Sequence, residues 1–393
     1  MKKSISSAAL GILVFLFSSS FVLSQKIETL DGVQTIHNSK SSRPDDKPGV
    51  SIQLIRRIGD IDTLDENLAF YFPSDIAMDA TGNIYVLDSG NHRIQKFSRE
   101  GRYQATFGRR GQGPGEFYNP DSMDIDARGY FYVLDAHQDR IQTLTPAGAA
   151  DKSIRLIDRT LKEIRCLKPN LLVFRGSIMP FGFADGTKPP DLIQILDPDG
   201  KVSRSFVDGN YSGDAMKALY SHLFKYALDR NNHFYLSYTF HNTIEKYDTD
   251  GKIGWRADWP LKYPPPISSW KPDIAENELQ ACSVGLAVDD RDRVWVVTLA
   301  RPLRKEEKVE ESIFEFRPRL GGASTLTRTL KGNTDLRTSD SFRLEVFNAR
   351  GVLLGGIPLT HFVDDIRIVG DNLFLLDQLH GATYYQYKII EKK

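Results

Sequence analysis

Carboxylates set in short apolar runs are the residues of this chain best suited to chemistry. Asp75 opens the run to Asp79, Asp124 lies between Met123 and Asp126, and Asp364 or Asp365 begins the run to Val369, with Lys225 and Arg367 as counter-charges. Converging on one axis, such carboxylates could bind calcium, which takes about six or more oxygen ligands. They could instead divide the roles of general acid and base, if their environments separate their pKa values. The third arrangement is a solvated channel of compensating ion pairs. Calcium is thus the one ion the residues raise, and no cofactor is otherwise expected.

Aromatic rings offer a second kind of chemistry. Trp255, Trp259 and Trp270 fall within 16 residues, with Tyr263 and Pro264 to Pro266 among them. Rings so grouped stack on a sugar, a peptide or another flat ligand, or else pack their own loop onto the body of the protein. Arg109 and Arg110, in the glycine-rich stretch Gly108 to Phe117, join them as candidate ligand contacts. That stretch is not a phosphate cradle, because a helix must follow one and Pro120 to Asp126 reads as a strand. His92, His137, His241 and His380 fall in corresponding turns of separate units, whereas zinc needs three or four ligands within about 2 Å. They read as exposed turn residues. No serine or cysteine nucleophile motif is present.

The elements that must position these residues are announced by a repeat. Phe72 to Gly101 recurs 47 residues later as Asn119 to Gly148, placing Pro73 on Pro120, Asp79 on Asp126, Tyr85 on Tyr132, Asp88 on Asp135 and Arg93 on Arg140. What recurs is turn, β-branched and aromatic residues, so the unit is a set of short strands, and the period is that of propeller blades. Asp88 is expected to bond backbone amides of the turn after it. Further units run from Leu161, Phe224, Gly285 and Asp365. The last lacks an outer strand, and Ile52 to Gly59 supplies one by pairing with Thr383 to Ile389. The expected fold is therefore all-β, a six-bladed β-propeller of four-stranded antiparallel blades closed by strand 52–59. A broken seventh blade at Asp208 to Leu223 is the alternative.

Turns from first to second and from third to fourth strand share one face, and here they are short and end in glycine. The long segments 176–191, 208–223, 256–281 and 300–341 belong to the opposite face, where binding and catalysis usually sit. Asp214 to Leu219 reads as a short capped helix, and Pro272 to Ala281 as another.

Residues 1–24 read as a secretory signal: Lys2 and Lys3, an apolar run from Ala8 to Phe17, then serines. That run falls short of the roughly 20 apolar residues of a membrane span. Residues 25–50 read as a polar segment in which only Val33 to Asn38 suggests a strand, and 51–393 as one domain. The formal net charge is zero, which gives no field for nucleic acid or an anionic membrane. An extracytoplasmic monomer without a membrane span is expected. Cys166 and Cys282 fall in blades that are not neighbours, and a disulfide needs Cα atoms within about 7 Å; they read as buried small hydrophobes.

Phe72-Pro73, Ile76 to Asp79, Gly82 to Val86, Asp88, Asn91, Arg93-Ile94, Phe97, Gly101, Phe107-Gly108 and Gly111 to Phe117 resemble an NHL repeat, as does Asn119 to Gly148. As a whole the chain resembles exported bacterial six-bladed NHL propellers. That resemblance implies a propeller and several functions: protein or RNA binding, extracytoplasmic sensing, or peptide-amidating lyase activity with zinc and calcium. The lyase histidines have no counterparts on the inner strands here. The leading expectation is a binding scaffold for a protein, peptide or glycan on the elaborated face. A metal-assisted hydrolase or lyase using Asp75, Asp124 and Asp365 is the alternative.

Overall fold

The computed structural model describes residues 25–39, 41, 47–156, 161–167, 171–175, 191–209, 214–271, 279–316 and 325–392. A hairpin, β1 (Gln25–Leu30) and β2 (Val33–Asn38), precedes β3 (Val50–Ile58). Sheet 1 follows as β4 (Pro73–Met78), β5 (Ile84–Asp88), β6 (Arg93–Phe97) and β7 (Tyr103–Phe107). Sheet 2 is β8 (Ser122–Ile125), β9 (Phe131–Asp135), β10 (Arg140–Leu144) and β11 (Ala150–Arg155). Sheet 3 is β12 (Leu161–Cys166), β13 (Leu171–Arg175), β14 (Ile193–Leu196) and β15 (Val202–Phe206). The helix α1 (Ala215–Ser221) leads into sheet 4, which is β16 (Phe224–Leu228), β17 (Phe234–Tyr238), β18 (Thr243–Tyr247) and β19 (Ile253–Asp258). Sheet 5 begins with β20 (Ser283–Val288) and β21 (Val294–Leu299), is interrupted by the hairpin β22 (Val309–Phe316) and β23 (Thr325–Gly332), and resumes with β24 (Phe342–Phe347) and β25 (Leu353–Pro358). Sheet 6 is β26 (Asp365–Val369), β27 (Asn372–Asp377) and β28 (Thr383–Glu391), and β3 completes it antiparallel to β28, with Ile58 opposite Tyr384 and Val50 opposite Glu391.

The four strands of each numbered sheet pair antiparallel, and the sheets pack face to face on their neighbours, which explains the burial pattern. In β5 and β21 every residue is buried, because both faces of a middle strand are covered. The outer strands β7 and β15 are largely exposed. Apolar clusters span adjacent sheets, as where Leu134 and Ile141 meet Leu161, Ile164 and Leu196. Turn chemistry sets the strand ends: the Asp79 carboxylate accepts from the Thr81 and Asn83 backbone N–H groups, both at 2.9 Å, while Gly82 takes φ +90°. Asp126, Asp229 and Asp289 do the same in their sheets. Asp88 departs from its expected role. It accepts from the Tyr71 N–H upstream (2.8 Å) and from the Asn91 and Arg93 side chains (2.9 and 2.8 Å).

The segment 25–50, expected to be a polar lead-in, is largely ordered into the fold. Strand β2 runs parallel to β19, with Thr35 opposite Arg256, and extends sheet 4 to six strands. Ile36 is the anchor, 1% exposed among Trp255, Ala257 and Trp259. Asn38 then bridges two sheets, donating to the Asp258 and Gly351 carbonyls and accepting from the Leu353 N–H. Asp214 caps α1 through the Met216 and Lys217 N–H groups. Most of Pro272 to Ala281 and of the insertion 176–191 lies outside the described residues. Cys166 and Cys282 are free thiols in sheet 3 and beside sheet 5. Cys282 is fully buried and Cys166 only partly so.

Candidate binding site at the propeller axis

The first strands β4, β8, β12, β16, β20 and β26 stand around a central axis. Asp75, Asp124, Glu163 and Asp365 meet there with Arg165, Lys225 and Arg367, and six of these seven line a cavity of about 330 Å³. Each carboxylate faces a cation. Asp75 accepts from Arg165 Nη1 at 3.0 Å and from the Ser122 hydroxyl at 2.6 Å. Arg165 also pairs with Glu163. Arg367 Nη2 donates to Asp124 at 2.6 Å, and Lys225 Nζ to Asp365 at 2.8 Å.

Burial opposes ionisation of Asp75, yet Arg165, Arg367 and Ser122 outweigh it and hold its pKa below the ordinary aspartate value. Burial raises Glu163, which shares its guanidinium with Asp75. Burial likewise opposes the charge on Lys225, but Asp365 and Glu163 keep its pKa raised. The arrangement is a network of ion pairs that fix one another in place. It does not fit calcium: the oxygens are already directed at three positive groups, and no three His, Cys, Asp or Glu side chains among the described residues converge on a point an ion could occupy. The four turn histidines take no part. The His92 pKa is lowered to about 4 by burial and by Arg110 and Arg328, and its Nδ1 accepts from the Asn119 N–H. His380 stacks on Phe362, centroids 3.6 Å apart. Neither is the exposed turn residue expected.

The aromatic group is placed differently from its reading as a ligand platform. Trp255 and Trp259 are 7% and 1% exposed and pack in the core under β2, so neither ring has a face left for a ligand. The Tyr263 hydroxyl donates to the Ala281 carbonyl at 2.8 Å, tying its loop to sheet 5. Trp270 is half-buried against Tyr220 and donates to Asp214. Arg109 is exposed and paired with Glu116, and Arg110 lies over the Tyr118 ring. These side chains do not converge on one site.

A cleft forms instead where the longest insertion returns to the ring. Hairpin β22–β23 and the face of sheets 4 to 6 enclose about 650 Å³. Phe240, Val284, Leu299, Phe342 and Val363 give it an apolar floor, and Asp364 stands at the start of the inner strand β26. The hairpin is tied at a distance: Arg328 of β23 lies 4.8 Å from the centre of the Phe72 ring, beside sheet 1, and pairs with Glu311 at 3.4 Å. Asp364 Oδ2 accepts from the Gln378 and Leu379 N–H groups, at 2.7 and 3.4 Å. Burial nevertheless pushes its pKa up.

Glu163 and Arg165 were not legible as channel residues, because the turn after β12 carries no aspartate to align it by. Glu310 and Glu311 lie in a stretch that reads only as a long insertion. Asp364 was visible, but not separable from Asp365.

A sequence profile of the NHL repeat matches residues 70–97. No curated protein matches the chain significantly in sequence. Among solved structures, a member of the DUF4221 family from Bacteroides vulgatus is similar at 11% identity and TM-score 0.55, over 87% of this chain and 99% of that one. A Bacteroides fragilis protein, named as one expected to be exported, is similar at 11% identity and TM-score 0.52, over 90% of this chain and 98% of that one. Virginiamycin B lyase from Staphylococcus aureus is similar at 13% identity and TM-score 0.46, over 86% and 99%. The chain thus carries one stretch that matches the NHL repeat, at residues 70–97, and its array of four-stranded sheets, like the two Bacteroides structures, is a β-propeller.

Proposed function

We propose that this propeller is an exported binding scaffold whose ligand occupies the cleft beneath β22–β23. The observation that carries the reading is the cleft itself: a concavity of about 650 Å³ with an apolar floor and a rim of polar and charged residues. Small binding sites are concave, mostly apolar and fall in a range of roughly 300–1,000 Å³. The elaborated face supplies the walls, while the rigid ring supplies the floor, a division typical of loop-borne sites. A protein, peptide or glycan was expected on this face, and the burial of Trp255 and Trp259 leaves those two rings no part in stacking on any of them. The leader-like residues 1–24 support export. No helix among the described residues is long and apolar enough to cross a membrane.

The ion pairs of the channel favour the binding reading over hydrolysis. A catalytic carboxylate must hold or accept a proton during turnover, whereas Asp75, Asp124 and Asp365 are each engaged by a cation, Arg165, Arg367 and Lys225 in turn. The test is a peptide and glycan array probed with the wild type and with Ser312→Trp, which places a large ring in the cleft. Ligands retained by the wild type should be lost from the variant at unchanged thermal stability. An identical set of ligands on both proteins would remove the cleft as the binding site.

A further inference from the structure

Lys308, Val309, Glu310, Glu311 and Ser312 are consecutive, and all line the cleft. Side chains of a strand alternate between its two faces, so an unbroken run of lining residues means that the strand presents its backbone edge. Among the described residues β22 pairs with β23 alone, from Val309 opposite Gly332 to Phe316 opposite Thr325. In an antiparallel pair, alternate residues point their N–H and C=O groups away from the partner. The edge of β22 that faces the cleft, without a strand partner among the described residues, is therefore a row of donors and acceptors of the kind by which sheets take up extended peptides.

The charges of the cleft select among such peptides. Glu311 is answered by Arg328 at 3.4 Å and Glu310 by Lys331 at 3.8 Å. Asp364 accepts only backbone N–H groups in its described hydrogen bonds, and Lys225, the cation that most influences it, is bonded to Asp365. A carboxylate at the edge of an apolar floor, with Glu310 and Glu311 already answered, is complementary to one cation flanked by apolar groups.

We infer that the cleft binds an extended peptide as an added strand along β22, with a lysine or arginine side chain of that peptide reaching Asp364. This rests on the reading of the cleft as the binding site. The probe is fluorescein-labelled acetyl-Thr-Val-Lys-Val-Thr-amide, followed by anisotropy, beside versions with norleucine or glutamate at the centre and one N-methylated at alternate amides. The lysine peptide should bind at least tenfold more tightly than the norleucine one, and the glutamate and N-methylated peptides should not bind. Asp364→Asn keeps an acceptor for the Gln378 N–H and removes a repulsion on Asp377, so it should abolish the lysine preference without lowering the thermal unfolding temperature. Equal binding of lysine and norleucine peptides, or indifference to N-methylation, overturns the inference. If Ser312→Trp still weakens binding in that case, the cleft survives as the site. Failure of every peptide to bind overturns the inference, and the array then decides the cleft by itself.

Discussion

Asp377 holds the place in sheet 6 that Asp88 and Asp135 hold in sheets 1 and 2, but without their arginine. Arg93 and Arg140, each five residues on, pair with Asp88 at 2.8 Å and Asp135 at 3.3 Å, whereas the fifth residue after Asp377 is Ala382. Its Oδ1 accepts from the His380 N–H, its Oδ2 has no hydrogen-bond partner, and its side chain is wholly buried. Burial raises its pKa to about 7, aided by repulsion from Asp364. His380 Nδ1 lies 3.8 Å away, but burial lowers that imidazole to about 4, so it is neutral and supplies no counter-charge. A carboxyl group whose pKa is raised on folding adds stability at low pH and loses it as pH rises through the folded pKa. Asp377→Asn should therefore gain stability relative to the wild type between pH 4 and pH 7 and hold that gain above. The shift sets an upper bound of about 4 kcal/mol. Thermal unfolding of both proteins across that range checks it; a difference independent of pH would mean that Asp377 does not titrate there. The sequence shows the absent arginine plainly, by alignment of the repeat. That the position is buried, and an ionised carboxylate there therefore costly, depends on neighbours distant in the chain.

At the scale of elements, the N-terminal hairpin shows how far local pattern carries. Val33 to Asn38 was readable as a short strand, but its partner was not, because β2 pairs with a strand more than 200 residues away. Only that pairing buries Ile36, and with it the faces of Trp255 and Trp259. The tryptophan spacing was equally compatible with a ligand platform and a packed core. What decided between them was an element whose own sequence is largely polar. Ile36→Ala should destabilise the protein by about 2–4 kcal/mol, the usual range for truncating a buried aliphatic side chain. Urea unfolding measures it, and a loss below about 0.5 kcal/mol would mean that β2 contributes little to the core. The insertion β22–β23 is a second example. Its length marked it as an elaboration, while its form as a hairpin lies in no local motif.

The ring as a whole depends on one pairing between the chain ends, β3 with β28. Lys388 stands opposite Gln53 there. Opposed residues of antiparallel strands are about 4.5–5.5 Å apart, a spacing a disulfide can span. Gln53→Cys with Lys388→Cys should close a loop of more than 300 residues and raise the unfolding free energy by up to roughly 5 kcal/mol, with the gain reversed by reductant. Unfolding in guanidinium with and without reductant reads it out, and equal midpoints would show that the ends do not limit unfolding. The sequence alone determined the repeating four-stranded unit and the closure by the N-terminal strand. These follow from turn residues and strand periodicity, which act within a few positions of the chain. Tertiary structure alone decided that Glu163 and Arg165 join the axis, that the channel carboxylates are matched by cations, that two tryptophans are core, and that β22 lines one cleft with Asp364. Those outcomes rest on which sheets become neighbours and how their side chains fill the space between them, and no local rule of propensity or periodicity encodes that.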